Sequence, residues 1–253
     1  MITLFRLLPN RAGLGFLGGC LLSLLAAAPA SAFQIVPISQ DFDPSGRGAN
    51  QTFQVENDRQ EAVTVTIAMA KRVVDKDGRE TLEPTEDFTL FPTEIVLQPK
   101  TSRIVRAKWI GDPSPKTELA YRIIAEETPL NMRRETPGAS VFLTIRYVGS
   151  IYVVPKGVKP DVVVVSAQPA TNAQGQPQLE LTLENKGARH AILDAPSVTV
   201  VAGSVSRALD KALVEKALSG ENILAQSQRR VVLPWPQGVP VGAVKAELKY
   251  ALQ

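Results

Sequence analysis

Few side chains in this sequence are of a kind that makes or breaks bonds. It contains one histidine, His190, and one cysteine, Cys20. A serine or cysteine nucleophile needs a base beside it, most often an imidazole. Zinc sites draw three or four ligands, mainly Cys and His. One residue of each type satisfies neither need. His190 follows Gly187-Ala188-Arg189 at what reads as the start of a strand, so a loop or surface position is expected. Glu126 and Glu127 form a carboxylate pair, but strand neighbours point to opposite faces, which argues against a glycosidase or a shared proton. Asp75-Lys76-Asp77-Gly78-Arg79-Glu80 has a superficial likeness to a calcium loop, and a hairpin turn built on Gly78 explains it better. No phosphate-binding loop, dinucleotide fingerprint or zinc spacing is present. The expectation is a protein that is not an enzyme and uses no metal or cofactor.

The segments that must position any site begin after residue 32. Arg6 and Arg11, an apolar run from Leu14 to Ala28, and the small residues Ala30-Ser31-Ala32 have the layout of a cleavable export signal. The mature chain then starts at Phe33. Leu17-Gly18-Gly19 before Cys20 suggests lipid attachment, yet the apolar run continues through Leu21 to Ala28, and a lipidated cysteine should follow such a run. Removal of residues 1–32 takes the sole cysteine, so the exported chain must rely on its apolar core rather than on disulfides. The missing cysteines and the alanine-rich signal point to a bacterial periplasm. Over 253 residues, 28 Lys and Arg face 25 Asp and Glu, and no basic run forms a nucleic-acid patch. Neither nucleic-acid binding nor membrane insertion of the mature chain is expected.

Alternation of apolar and polar residues recurs along the mature chain. Phe53 and Val55, then Val63, Val65, Ile67 and Met69, then Val105, Ala107 and Trp109 each alternate with mostly polar neighbours. Tyr121, Ile123 and Ala125 do the same, broken only by Ile124, and Leu179, Leu181 and Leu183 follow suit. Period two means strands with one face on a core and the other in water. Turn-forming clusters separate them, among them Asp43-Pro44-Ser45-Gly46, Asp75 to Gly78, Asp112-Pro113-Ser114-Pro115 and Asn185-Lys186-Gly187. The fold class expected is all-β, with two antiparallel sandwiches. Two prolines and a glycine between Pro155 and Pro160 mark a short, stiff connector. The domains are therefore residues 33–156 and 159–253. Arg207 to Leu218 dissents, with good helix formers before Ser219-Gly220, and is expected as one short helix or a strand pair.

Residues 139–155 stand out as a long extended stretch, well beyond the usual strand of about five or six residues. Val141, Leu143, Ile145 and Tyr147 share one face, and Phe142, Thr144, Arg146 and Val148 share the other. Gly149-Ser150 would allow a bulge or bend. Such a strand either closes a core or offers its edge and alternate side chains to another protein.

Several stretches, in order, resemble the periplasmic pilus assembly chaperones of the chaperone–usher pathway, the PapD-like family. They are Phe33 to Ile38, Phe53-Gln54-Val55-Glu56-Asn57, Phe88 to Pro92, Leu97-Gln98-Pro99 with Arg103-Ile104-Val105-Arg106, Tyr121 to Pro129, Arg146 to Pro155, and Leu181 to His190. The resemblance implies two immunoglobulin-like sandwiches in a boomerang arrangement. It implies a chaperone that caps pilus or fimbrial subunits by donor-strand complementation and delivers them to an outer-membrane usher. Its donor side chains would be Val141, Leu143 and Ile145. The family also anchors the subunit's terminal carboxylate on two basic residues between the domains. The strand position that is usually basic, five residues before Pro155, is Ser150 here. Arg146, on the same strand face, is the nearest basic substitute and the candidate carboxylate anchor. The second anchor falls at Gln40 or Asp41, neither of them basic. Two other readings stay open at this point. One is a structural or adhesive β-sandwich protein of the cell surface, akin to a pilus subunit. The other is a carbohydrate- or small-molecule-binding sandwich, with Trp109 or Trp235 as its aromatic platform.

Overall fold

Sequence alternation becomes burial strand by strand. The computed structural model describes residues 33–128 and 144–252. The expected export signal at residues 1–32 and the stretch containing Val141 and Leu143 lie outside the described residues. The first part of the chain forms β1 (Phe33–Val36), β2 (Ser39–Phe42), β3 (Asn50–Asn57), β4 (Val63–Val74) and β5 (Glu80–Pro84). It continues with β6 (Phe88–Phe91), β7 (Glu94–Leu97), β8 (Thr101–Trp109), β9 (Leu119–Thr128) and β10 (Arg146–Val153). One sheet has the order β1-β3-β8-β6, and the facing sheet has the order β2-β10-β9-β4-β5, with β7 also on β4. Phe53, Val55, Val65, Val105, Ile123 and Ala125 are fully shielded between them. Phe88, Trp109 and Tyr121 meet edge to face within the same core, which fixes Trp109 as a packing residue.

The second part forms β11 (Val162–Thr171), β12 (Pro177–Asn185), β13 (Ala191–Ala202), β14 (Val205–Ala208), the helix α1 (Lys211–Leu218), β15 (Asn222–Ile223), β16 (Gln228–Pro234) and β17 (Lys245–Leu252). A sheet of β11-β12-β16 faces one built on β13, which pairs β14, β15 and β17. Leu179, Leu181, Leu183, Leu193 and Val200 fill this second core. The two cores share no residue, and the architecture is two immunoglobulin-like β-sandwiches. Arg207 to Leu218 divides between the two forms expected of it. Arg207 and Ala208 end β14, and α1 begins at Lys211, capped by the Asp210 carboxylate, which accepts the Leu213 N–H at 3.0 Å.

Each sandwich is pinned by a buried asparagine at the end of an alternating strand. Asn57 donates to the carbonyls of Glu61, Leu97 and Gln98 and accepts from the Arg59 N–H. Asn185 donates to the carbonyls of Arg189 and Ile223 and accepts from the N–H groups of Asp161 and Gly187. A buried side-chain amide is tolerated because all its bonds are made. No helix among the described residues is long and apolar enough to cross a membrane. Nor do these residues bring together three or more potential metal ligands.

Candidate functional site

Among the described residues, strand β10 has a partner along its whole length on one side only. It runs antiparallel to β9 from Arg146 to Val153 without a break in register. On its other side, β2 pairs with it in parallel only from Ser150 to Val153. Among the described residues no strand pairs with Arg146 to Gly149 on that side. Among the described residues, half of β10 is therefore an open edge with unpaired backbone groups. The junction between the open and covered halves lies at Gly149. A β-carbon there would stand 2.6 Å from the Ile38 carbonyl oxygen and 2.7 Å from Ile123 Cγ2. Glycine lets the chain entering β2 press against β10, and the continuous register shows no bulge at Gly149-Ser150.

Side chains near the open edge follow the alternation. Ile145 and Tyr147 pack against the first core, and the Tyr147 ring meets Phe33 edge-on at 5.1 Å. The Ile145 carbonyl accepts the Glu127 N–H at 3.0 Å, so the pairing with β9 begins before β10 proper. Arg146 faces outward, half exposed, with Nε 3.4 Å from the Glu126 carboxylate. Glu127 turns the other way and is held by Arg59 through two bonds of 2.7 and 3.0 Å. The two carboxylates of the 126–127 pair thus serve separate arginines.

Ser150 lies across from Arg122 on β9. Arg122 donates to Ser150 Oγ and also grips Glu80, Nε to Oε1 at 2.8 Å and Nη2 to Oε2 at 2.7 Å. Arg72, from β4, adds a third bond to Glu80 at 2.9 Å. Its Nη1 lies 3.4 Å from Tyr152 Oη, which accepts from Asn222 of the second sandwich at 2.7 Å. The bonds from Arg122, helped by the charge of Arg72, hold the Glu80 carboxyl below the usual carboxylate range, while burial opposes the shift. Glu80 in turn raises the Arg122 guanidinium.

The β4–β5 hairpin brings Glu80 to this place. The Asp75 carboxylate accepts the N–H groups of Asp77 and Arg79, and Gly78 takes φ +82°. These bonds, led by that from Arg79, lower the Asp75 carboxyl. The motif is a hairpin, and its tip rests on the second sandwich. The Lys76 carbonyl accepts the Arg230 backbone N–H at 2.6 Å, and the Asp77 carboxylate accepts from Arg230 Nε at 2.7 Å.

His190 occupies a loop, as its sequence context suggests, with its side chain largely shielded there. Its Nδ1 lies 2.8 and 2.9 Å from the two oxygens of Glu118, whose side chain is wholly buried. Its ring stacks on Tyr152 at 4.0 Å. Arg189 beside it reaches Asp41 at 3.0 Å. Periodicity does not reveal these long-range partners. Arg72, Glu80, Glu118 and Tyr152 are additions to the residues singled out from sequence. Only the Arg72–Glu80 proximity had a readable signal, since a hairpin turning at Asp75 to Gly78 folds residue 80 back beside residue 72. Trp235 is half-buried against the second core, its Nε1–H donated to the Val239 carbonyl at 2.8 Å, which makes it a packing residue.

No family model and no curated protein matches the sequence. Solved structures match the fold. A chain of the chaperone–tip adhesin complex of CFA/I fimbriae biogenesis aligns at 17% identity with a TM-score of 0.54, over 87% of this chain and 99% of its own. The E. coli chaperone DraB aligns at 18% identity with a TM-score of 0.52, over 87% and 96%. A chain of the Salmonella enterica SafA pilin–SafB chaperone complex aligns at 14% identity with a TM-score of 0.51, over 90% and 99%. At these identities the likeness is one of architecture, and the chain has the two-sandwich fold of the fimbrial chaperones.

Proposed function

We propose that the protein is a periplasmic chaperone that caps pilus or fimbrial subunits and hands them to an outer-membrane usher, exported by the signal at residues 1–32. The observation that carries this reading is the half-open edge of β10. A subunit lacking one strand has the matching defect, an apolar groove bordered by unpaired backbone groups. Pairing along Arg146 to Gly149 and the residues before them supplies the backbone bonds, and alternate side chains fill the groove. The proposed groove fillers are Val141, Leu143 and Ile145, which spacing by two puts on one face. Residues 33–156 are the donor domain, residues 159–253 the second domain, and Pro155 to Pro160 the connector. Donation exchanges one set of strand contacts for another, so it draws on no nucleotide, metal or cofactor. The fold shared with chains solved alongside a tip adhesin and a pilin supports the reading.

Arg146 is the sequence candidate for the subunit's terminal carboxylate. It lies beside the open edge, already facing Glu126. As the anchor, Arg146→Glu should lower subunit recovery at least tenfold. The test of the whole reading is periplasmic co-expression with a pilin-like subunit encoded beside this gene. Wild-type protein should be recovered as a one-to-one complex. Leu143→Asp should abolish recovery while its thermal melt stays unchanged. Normal capture by a well-folded Leu143→Asp protein would refute donation from this segment.

A further inference from the structure

The second sandwich contains a cleft of about 700 Å³ between the end of β14, the helix α1 and the turn that follows β16. A small organic molecule needs a site of about 300–1,000 Å³. The innermost lining is apolar. Val214 and Leu233 are buried, and Trp235 packs on the same core while also lining the cleft. Leu209 and Leu213 complete the apolar wall, with Leu213 44% exposed. Three polar side chains reach the lining, those of Arg207, Asp210 and Gln237. Asp210 is committed, since its carboxylate caps α1 by accepting the Leu213 N–H at 3.0 Å. Arg207 is not: its guanidinium makes no ion pair or hydrogen bond among the described residues. It lies against the turn, where a β-carbon at Gly238 would stand 3.5 Å from its Nη2. An unpaired cation thus stands at the mouth of an apolar cleft.

We infer that this cleft binds a small amphipathic anion, with its one acidic group on Arg207 and its hydrocarbon body against Trp235, Leu209 and Leu213. The site shares no residue with the open edge of β10, so it goes beyond subunit capping and does not depend on it. Burial of the hydrocarbon supplies the non-directional part of the affinity. The guanidinium supplies the direction, because its fork grips a carboxylate with two charge-assisted bonds. Asp210 limits the ligand to a single acid. Its charge is held in place by the N-terminus of α1, and it would repel a second one. A sugar fits poorly, since it asks for several hydrogen-bonding side chains and only Arg207 and Gln237 are uncommitted. Free fatty acids are the simplest molecules of the class.

The test follows the two indole N–H signals of the exported protein by proton–nitrogen NMR. Trp235 Nε1–H, donated to the Val239 carbonyl, reports on the cleft, and Trp109 Nε1–H, donated to the Asp112 carbonyl in the first sandwich, is the internal control. Decanoate, kept below micelle formation, should shift the Trp235 signal saturably and leave that of Trp109 unmoved. 1-Decanol has the same chain without the charge and leaves water more readily, yet it should bind about threefold more weakly. Arg207→Gln should remove this preference by weakening decanoate about fivefold while changing decanol less than about twofold. Asp210→Ser keeps a capping oxygen and removes a like charge, so it should tighten decanoate about twofold. Leu213→Asp suits the first turn of α1 and should stop both ligands from binding without lowering the thermal melt. A Trp235 signal unmoved by decanoate would overturn the assignment. So would equal binding of decanol by wild-type protein, or decanoate binding unchanged by Arg207→Gln or by a well-folded Leu213→Asp. A shift produced by phosphatidylglycerol vesicles and not by decanoate would also overturn it, in favour of a membrane surface.

Discussion

The close approach at Gly149 determines where the open edge of β10 ends, and a single methyl group tests it. In Gly149→Ala the new β-carbon would sit 2.6 Å from the Ile38 carbonyl oxygen and 2.7 Å from Ile123 Cγ2. Neither neighbour can retreat freely. Ile123 is fully buried, and the Ile38 carbonyl already accepts the Ser150 N–H at 2.8 Å. Overpacking of this kind costs about 1–3 kcal/mol. Loss of the Ser150–Ile38 bond adds about 0.5–1.5 kcal/mol. Gly149 does not use a left-handed backbone, so alanine gains about 0.4–1 kcal/mol from its smaller unfolded-state entropy. The net expectation is destabilisation by about 1–3 kcal/mol. Urea unfolding followed by Trp109 fluorescence in a Trp235→Phe background isolates the first core, and its midpoint should fall by roughly 1 M. Hydrogen exchange at the Ser150 amide should accelerate beyond what global destabilisation gives, because β2 detaches first. An unfolding free energy within about 0.5 kcal/mol of wild type, with Ser150 still protected, would refute the packing argument.

The remaining predictions concern other parts of the structure. Asn185→Leu strands two carbonyls and two N–H groups around the start of the second sandwich, and should cost about 3–5 kcal/mol in chemical unfolding of that domain. Glu80 has a folded-state carboxyl held below its ordinary value, so its contribution to stability is fully present above its unfolded pKa and is lost as pH falls through the lower folded value. The melting difference between wild type and Glu80→Gln should accordingly be constant near neutrality and vanish in acid; a difference that grows toward acid would contradict the sign.

What could be read from sequence depended on the distance over which the signal acts. Leu179, Leu181 and Leu183 alternate with Glu180, Thr182 and Glu184, and all three leucines are fully buried. Strand periodicity is a local consequence of the pleat, so a few consecutive residues suffice to show it. The hairpin at Asp75 to Gly78 was equally legible, because a short side chain bonding its own backbone announces a turn. The candidate site was legible only in part. Residues 139–155 stand out in the sequence as a long extended stretch, and the described end of it forms β10, with Ile145 and Tyr147 both packed on the first core as spacing by two requires. The halving of the edge at Ser150 was not visible, because it depends on where β2, more than a hundred residues earlier, comes to rest. The same holds for the surroundings of His190, whose context indicated a loop or surface position and which does lie in a loop. Its environment is set by Glu118 and Tyr152, which belong to strands of the other sandwich or their ends. Charged and polar residues have no period that betrays a distant partner. A sequence that alternates cleanly still conceals which of its arginines are solvated and which are shielded. Arg146, singled out because it lies on the long extended stretch, is half exposed beside Glu126, whereas Arg122, one strand over, is shielded and bonded to Glu80 and Ser150.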